Sequence, residues 1–104
     1  MTQQLPGPPL SPTTVERLDV LFPGDERQLV AATLTEYCGH GLPSCSTPEN
    51  VDLIERIRFG CLKLSEGSLD KLDDALDLAA DDWRNLLASA GFADDVEEHL
   101  RWRP

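Results

Sequence analysis

The sequence predicts an all-α fold. One domain, a bundle of four or five helices over residues 13–104, follows a disordered proline-rich tail over 1–12. Three observations carry this. Apolar residues recur at three- and four-residue spacing through most of the chain, as on helices with one buried face. Capping residues and glycines bracket each such stretch. The 104 residues, 40% of them hydrophobic, suit one modest core that buries roughly two-thirds of the unfolded chain's surface.

The first twelve residues, MTQQLPGPPLSP, hold four prolines and one glycine, and cannot donate a regular ladder of backbone hydrogen bonds. Thr13 and Thr14 then fit as caps of a short helix carrying Val15, Leu18 and Leu21 or Phe22. The same stretch, VERLDVLF over 15–22, also fits a short strand. Pro23-Gly24 ends it either way. Asp25 opens a second helix as its cap, with Glu26 in the first turn complementing the dipole. Its apolar positions are Leu29, Val30, Leu34 and Tyr37, and Gly39 stops it.

Residues 39–46, GHGLPSCS, read as a loop. Thr47 with Pro48 behind it opens a third helix, carrying Leu53, Ile54, Ile57, Cys61 and Leu64. Asp52 and Arg56 stand four apart in the favourable order for an outer-face ion pair. Gly60, in mid-helix, costs about 1 kcal/mol relative to Ala, which a close approach by another helix explains.

Ser68 caps the fourth helix, whose apolar stripe is Leu69, Leu72, Leu76, Ala79, Trp83, Leu86 and Ala90. The spacing alternates three and four, a heptad-like seam. Because its phase survives from 69 to 90, one helix of about 33 Å is the simplest reading. A break near Ala80, with Asp81 capping a new helix, is the rival. Gly91 is the stop. Asp94 and Glu97 resemble a capping box for a last short helix holding Val96, His99 and Leu100. Trp102 folds back on the core.

The fourth helix also carries an aspartate ladder: Asp70, Asp73, Asp74, Asp77, Asp81 and Asp82. At 100° per residue, Asp70, Asp74, Asp77 and Asp81 share a narrow arc opposite the apolar stripe. Lys71 is the sole basic residue between 64 and 83. Five like-charged pairs three or four apart cost about 1–2.5 kcal/mol in total at low salt. Such a face is either solvated surface screened by salt or a docking surface for a basic partner. It is no calcium loop, because that needs an irregular backbone with a glycine turn.

Net charge is -10, divided as -3 over residues 1–65 and -7 over 66–104. No basic cluster supplies a nucleic-acid footprint, and an acidic membrane surface repels such a chain. No apolar run approaches a membrane span, and the N-terminus lacks the pattern of a signal peptide. Three cysteines, an odd number, argue against a disulfide framework and for a reducing cytoplasm.

Cys38, His40 and Cys45 are the right ligand types for zinc, with Cys61 or His99 as a fourth ligand, but their spacing fits no standard pattern. Cys38 with His40 or His99 is also a formal thiol–imidazole pair. Neither a nucleophile elbow nor a phosphate loop accompanies it. The sequence therefore predicts no catalytic residues, no metal and no cofactor.

Arg56-x-Arg58 leads into Leu62-Lys63-Leu64-Ser65-x-Gly67, and Asp82-Trp83-Arg84-x-Leu86-Leu87 into Ala90-Gly91-Phe92. Together these motifs resemble a group of small bacterial proteins sharing R-x-R-x-x-x-L-K-L-S-x-G and D-W-R-x-L-L-x-x-A-G-F. The resemblance covers roughly the C-terminal half and implies no activity.

The functional expectation is a small, non-catalytic, cytoplasmic interaction protein. It presents Asp70, Asp74, Asp77 and Asp81 to a basic protein partner. The alternatives are a metal-binding or thiol-dependent protein built on Cys38, His40 and Cys45, and a structural homo-oligomeric helical subunit.

Overall fold

A computed structural model describes residues 10–39, 51–95 and 97–104. Among them are five helices and no strand: α1 (Pro12–Leu21), α2 (Glu26–Tyr37), α3 (Val51–Ser65), α4 (Leu69–Ala90) and α5 (Glu98–Arg101). The all-α expectation holds.

The strand alternative over 15–22 does not. A strand would bury Leu18, Val20 and Phe22 on one face. The helix instead buries Thr14, Arg17 and Leu18, with Phe22 at its end, and leaves Val15 and Val20 exposed. Its cap is Ser11 rather than Thr13 or Thr14. The Ser11 hydroxyl accepts the Thr14 N–H at 3.1 Å, and Pro12 occupies the first helical position, where a missing N–H costs nothing. The same hydroxyl donates to the Glu55 carboxylate on α3, and Leu10 packs against the core. The domain thus begins inside the stretch assigned to the tail, of which residues 1–9 lie outside the described ones.

Gly24 adopts a left-handed φ of 85°, and its carbonyl accepts the Arg27 N–H at 3.3 Å. Asp25 holds the N-cap position of α2, but its side chain makes no capping hydrogen bond. The buried line of α2 is Val30, Leu34 and Cys38, each at its i+4 neighbour. Leu29 and Tyr37, expected in the core, lie off that line and are exposed. The predicted loop over 39–46 and helix start at Thr47-Pro48 fall outside the described residues except for Gly39.

The third helix is the centre of the molecule. Beyond its amphipathic positions Ile54 and Ile57, five consecutive residues, Arg58 to Leu62, are buried. No single face can bury such a run, so α3 is covered from several sides. Helix α4 makes its most extensive contact, and α1 and α5 pack on other sides. At its end Glu66 and Gly67 both take left-handed φ, 51° and 81°, and turn the chain back. Gly67 is required there twice over, because a Cβ would also lie 3.1 Å from the Leu21 carbonyl.

Ser68 caps α4 by accepting the Lys71 N–H. Leu72, Ala75, Leu76 and Ala79, then Leu86, Leu87 and Ala90, form its buried face, with Leu69 and Trp83 half-buried. The helix is broken once, at Asp82 (φ -157°, ψ 95°). The carboxylate of Asp82 accepts the Arg84 N–H at 3.1 Å, so Asp82 caps the second segment itself. The break therefore lies two residues past Ala80, with Asp82 rather than Asp81 as the cap. The seam resumes in phase beyond it. At the far end Gly91 (φ 80°) sends its N–H to the Ala88 carbonyl and Phe92 sends its own to Leu87, a Schellman closure that buries Phe92.

The segment leading to α5 is organised by Asp95, one residue later than the predicted capping box. Its carboxylate accepts the Glu97 N–H at 2.9 Å and pairs with Arg101 at 2.9 Å. Val96 lies outside the described residues. His99 is buried, whereas Leu100 is exposed against expectation. Trp102 packs back on Phe59 and Phe92 at 6.4 and 6.3 Å between centroids, as the sequence predicts.

Gly60 meets α4 closely but not tightly. A Cβ built there lies 3.6 Å from both Ala90 Cβ and Leu86 Cδ2, ordinary contact distance. Gly60→Ala is therefore expected to raise stability by about 0.5–1 kcal/mol through helix propensity. Gly60→Leu, which overpacks the α3–α4 contact, is expected to lower it by about 1–3 kcal/mol. Urea midpoints of the two variants check this, and a destabilised alanine variant would show the contact to be tighter than described.

Candidate functional site

The aspartate ladder stands as predicted on the outer face of α4. Asp70, Asp73, Asp74, Asp77, Asp81 and Asp82 are all exposed. Asp82 has the structural role of capping the second segment. The carboxylates of the other five make no ion pair or hydrogen bond among the described residues. Lys71, the one cation within the ladder, turns away to Glu66 at 2.9 Å. Beside the ladder, Leu64, Ala75 and Leu78 line a shallow groove of about 250 Å³ with Asp74 and Lys71 on its rim.

The cysteine cluster reads differently. His40 and Cys45 lie outside the described residues, so the Cys38–His40–Cys45 arrangement does too. Cys38 and Cys61 are free thiols, both fully buried. A hydrogen bond to Cys38, and then burial, push the Cys61 thiol up, away from the thiolate that metal binding and nucleophilic attack require. Among the described residues no group of three His, Cys, Asp or Glu side chains could hold a metal ion.

Sequence patterning missed the burial of two arginines, Arg58 and Arg17, whereas His99 is buried in the last helix, where the spacing places it. Arg58, 2% exposed, donates from Nε to the Cys38 carbonyl at 2.7 Å, while its Nη2 has no partner. Desolvation lowers its pKa, with Cys38 and Glu55 opposing. Arg17, also 2% exposed, donates to the Leu100 carbonyl at 3.1 Å and lies over the Phe59 ring at 5.2 Å. It thereby ties α1 to α5 across α3. His99 stands edge-on to Phe59 at 4.9 Å and to Phe92 at 6.2 Å, and its Nδ1 has no hydrogen-bond partner.

A cavity of about 370 Å³ opens where the start of α3 meets α5. Its walls carry the carboxylates of Asp52, Glu55 and Glu97, the Arg56 side chain and His99, with Leu53 and Leu100 as apolar surface. Arg56 does not pair with Asp52 in the predicted manner. Its Nη2 instead donates to the carbonyls of Phe92, Ala93 (3.0 Å) and Asp95 (3.5 Å), satisfying the chain that leaves α4. The sequence held no signal for this cavity. Its residues come from two segments, 52–56 and 97–100, at least 41 positions apart, and helical spacing links only neighbours within a turn.

Comparison of the chain with protein-family models, with curated proteins and with solved structures gives no match. The functional reading rests on the geometry of the chain itself.

Burial holds the His99 pKa below its ordinary 6.5, with Arg56 adding to the effect and Glu55, Asp52 and Asp95 opposing it. The unfolded chain then binds a proton more readily than the folded one. The stabilising contribution is full above pH 6.5 and is lost as pH falls through the folded value. Asp95 acts in a lower window. Its carboxyl is held below 3.8 by the Glu97 N–H first and then by Arg101, so its contribution is lost only in stronger acid. We expect the urea midpoint of the wild type to fall between pH 7.5 and 5.5 by more than that of His99→Phe. His40, the only other histidine, is common to both. Equal pH dependence in the two proteins would contradict the assignment.

Proposed function

We propose that the protein is a small non-catalytic interaction module whose outer α4 face docks a basic protein partner. The observation that carries this reading is the ladder itself. Asp70, Asp73, Asp74, Asp77 and Asp81 are exposed, and the nearest cation, Lys71, is committed to Glu66. A field of one sign at close spacing raises the local concentration of cationic partners and speeds their encounter. The groove formed by Leu64, Ala75 and Leu78 gives such a partner an apolar foothold beside the charges.

Catalysis has less support. The ladder carboxylates face water, whereas general acid work needs a carboxyl in an apolar setting. Among the described residues no helix is long and apolar enough to cross a membrane. The free thiols of Cys38 and Cys61 support placement in a reducing cytoplasm.

The quadruple variant Asp70→Asn, Asp74→Asn, Asp77→Asn, Asp81→Asn tests the reading. Affinity capture from the native cell extract is expected to retain basic proteins at low salt, release them as salt rises, and lose them in the variant. Relief of repulsion is expected to stabilise the variant by about 1–2 kcal/mol at low salt. Equal retention by variant and wild type would sink the proposal.

A further inference from the structure

We propose that Cys38 and Cys61 form a peroxide-responsive dithiol site, at which oxidation closes a reversible disulfide between the end of α2 and the middle of α3. Both thiols are free and fully buried. The Cys61 side chain hydrogen-bonds that of Cys38. Folding therefore makes the two sulfurs neighbours, as closure requires.

A buried cation completes the group. The Arg58 guanidinium donates from Nε to the Cys38 carbonyl at 2.7 Å and also hydrogen-bonds the Cys38 side chain. A cation so placed stabilises negative charge on the sulfur that attacks an oxidant. The hydrogen bond to Cys38, and then burial, hold the proton on Cys61. Position divides the two roles in the same way. Cys38 is the C-cap of α2, with its N–H on the Leu34 carbonyl at 3.0 Å, whereas Cys61 lies within α3. A helix end opens at lower cost than a helix centre, so an oxidant meets Cys38 first. Cys38 attacks and Cys61 resolves.

Hydrogen peroxide, small and uncharged, suits a pair with no exposed surface. The Cys38 sulfur attacks one peroxide oxygen. An S–O bond forms, the O–O bond breaks, and the second oxygen leaves as hydroxide, which the Cys38 proton converts to water. The Cys61 sulfur then attacks the sulfur of the resulting sulfenic acid. The S–S bond forms, the S–O bond breaks, and the hydroxyl leaves with the Cys61 proton as a second water. The two thiols give up two electrons, and one peroxide is reduced to two waters.

None of these groups belongs to the α4 ladder, so the quadruple ladder variant is expected to oxidise as the wild type does. The chain holds three cysteines, Cys38, Cys45 and Cys61. Treatment of the folded protein with hydrogen peroxide is expected to leave one titratable thiol, and dithiothreitol to restore the other two. Trypsin without reductant locates the bond, because Cys38 and Cys45 share the peptide 28–56 while Cys61 lies in 59–63. The two peptides are expected to be joined, with fragmentation placing the link at Cys38. Cys45→Ser is expected to form the same bond. In urea the preference is expected to pass to Cys38–Cys45, the shorter loop. The proposal is overturned if the folded protein joins Cys38 to Cys45 or carries oxygen on unlinked cysteines. Retention of all three thiols at a dose that oxidises the urea-unfolded chain overturns it equally.

Discussion

The rest of the structure depends on the complete burial of α3. A helix with one apolar face needs one neighbour, but Arg58 to Leu62 are buried in succession and need cover all round. That demand explains the placement of the other elements. The long α4 lies along one side, made close by Gly60 against Leu86 and Ala90. The short helices α1 and α5 close other sides and are held to each other by Arg17 across Phe59. Cys38, at the end of α2, meets α3 through Arg58.

Burying arginines in so small a core is costly unless their donors are met. Here they serve irregular backbone. Arg58 takes the Cys38 carbonyl at the end of α2, Arg17 takes Leu100 in α5, and Arg56 gathers the carbonyls that follow α4. Each satisfies groups that helix ends leave orphaned. The segments leaving α2 and α4, and α5 itself, are thus pinned to the central part of the molecule by guanidinium groups, while apolar seams hold the long helices. Arg17 Nε, Arg56 Nε and Arg58 Nη2 are left without a hydrogen-bond partner among the described residues, so the arrangement is incomplete at each of the three arginines.

The helices were legible in the sequence because local rules made them. The seam from Leu69 to Ala90, the Ser68 cap and the Gly91 stop all stand where spacing and capping place them. Errors came where two local signals competed. Asp81 and Asp82 are equally good caps on paper, and only the path of the chain selects Asp82. Asp94 and Asp95 posed the same choice. Leu29, Tyr37 and Leu100 are apolar yet exposed, because the burial of a short helix is decided by what covers it. The ladder was fully legible, since a one-helix face needs only periodicity. The cavity was not, since it joins the beginning of α3 to residues 97–100 and arises only on folding.

This arrangement separates stability from surface. With α3 carrying the core, the outer face of α4 can hold five unpaired aspartates at a cost that is small beside the roughly 5–15 kcal/mol typical of a domain. Hydrogen exchange resolved by residue tests that central role of α3 most directly. The amides of Ile57 to Leu62 are expected to exchange only through global unfolding and to be the slowest in the chain, with those beside Asp82 and in α5 opening earlier. If the α3 amides opened locally while α4 stayed protected, α4 rather than α3 would be the element on which the fold is built.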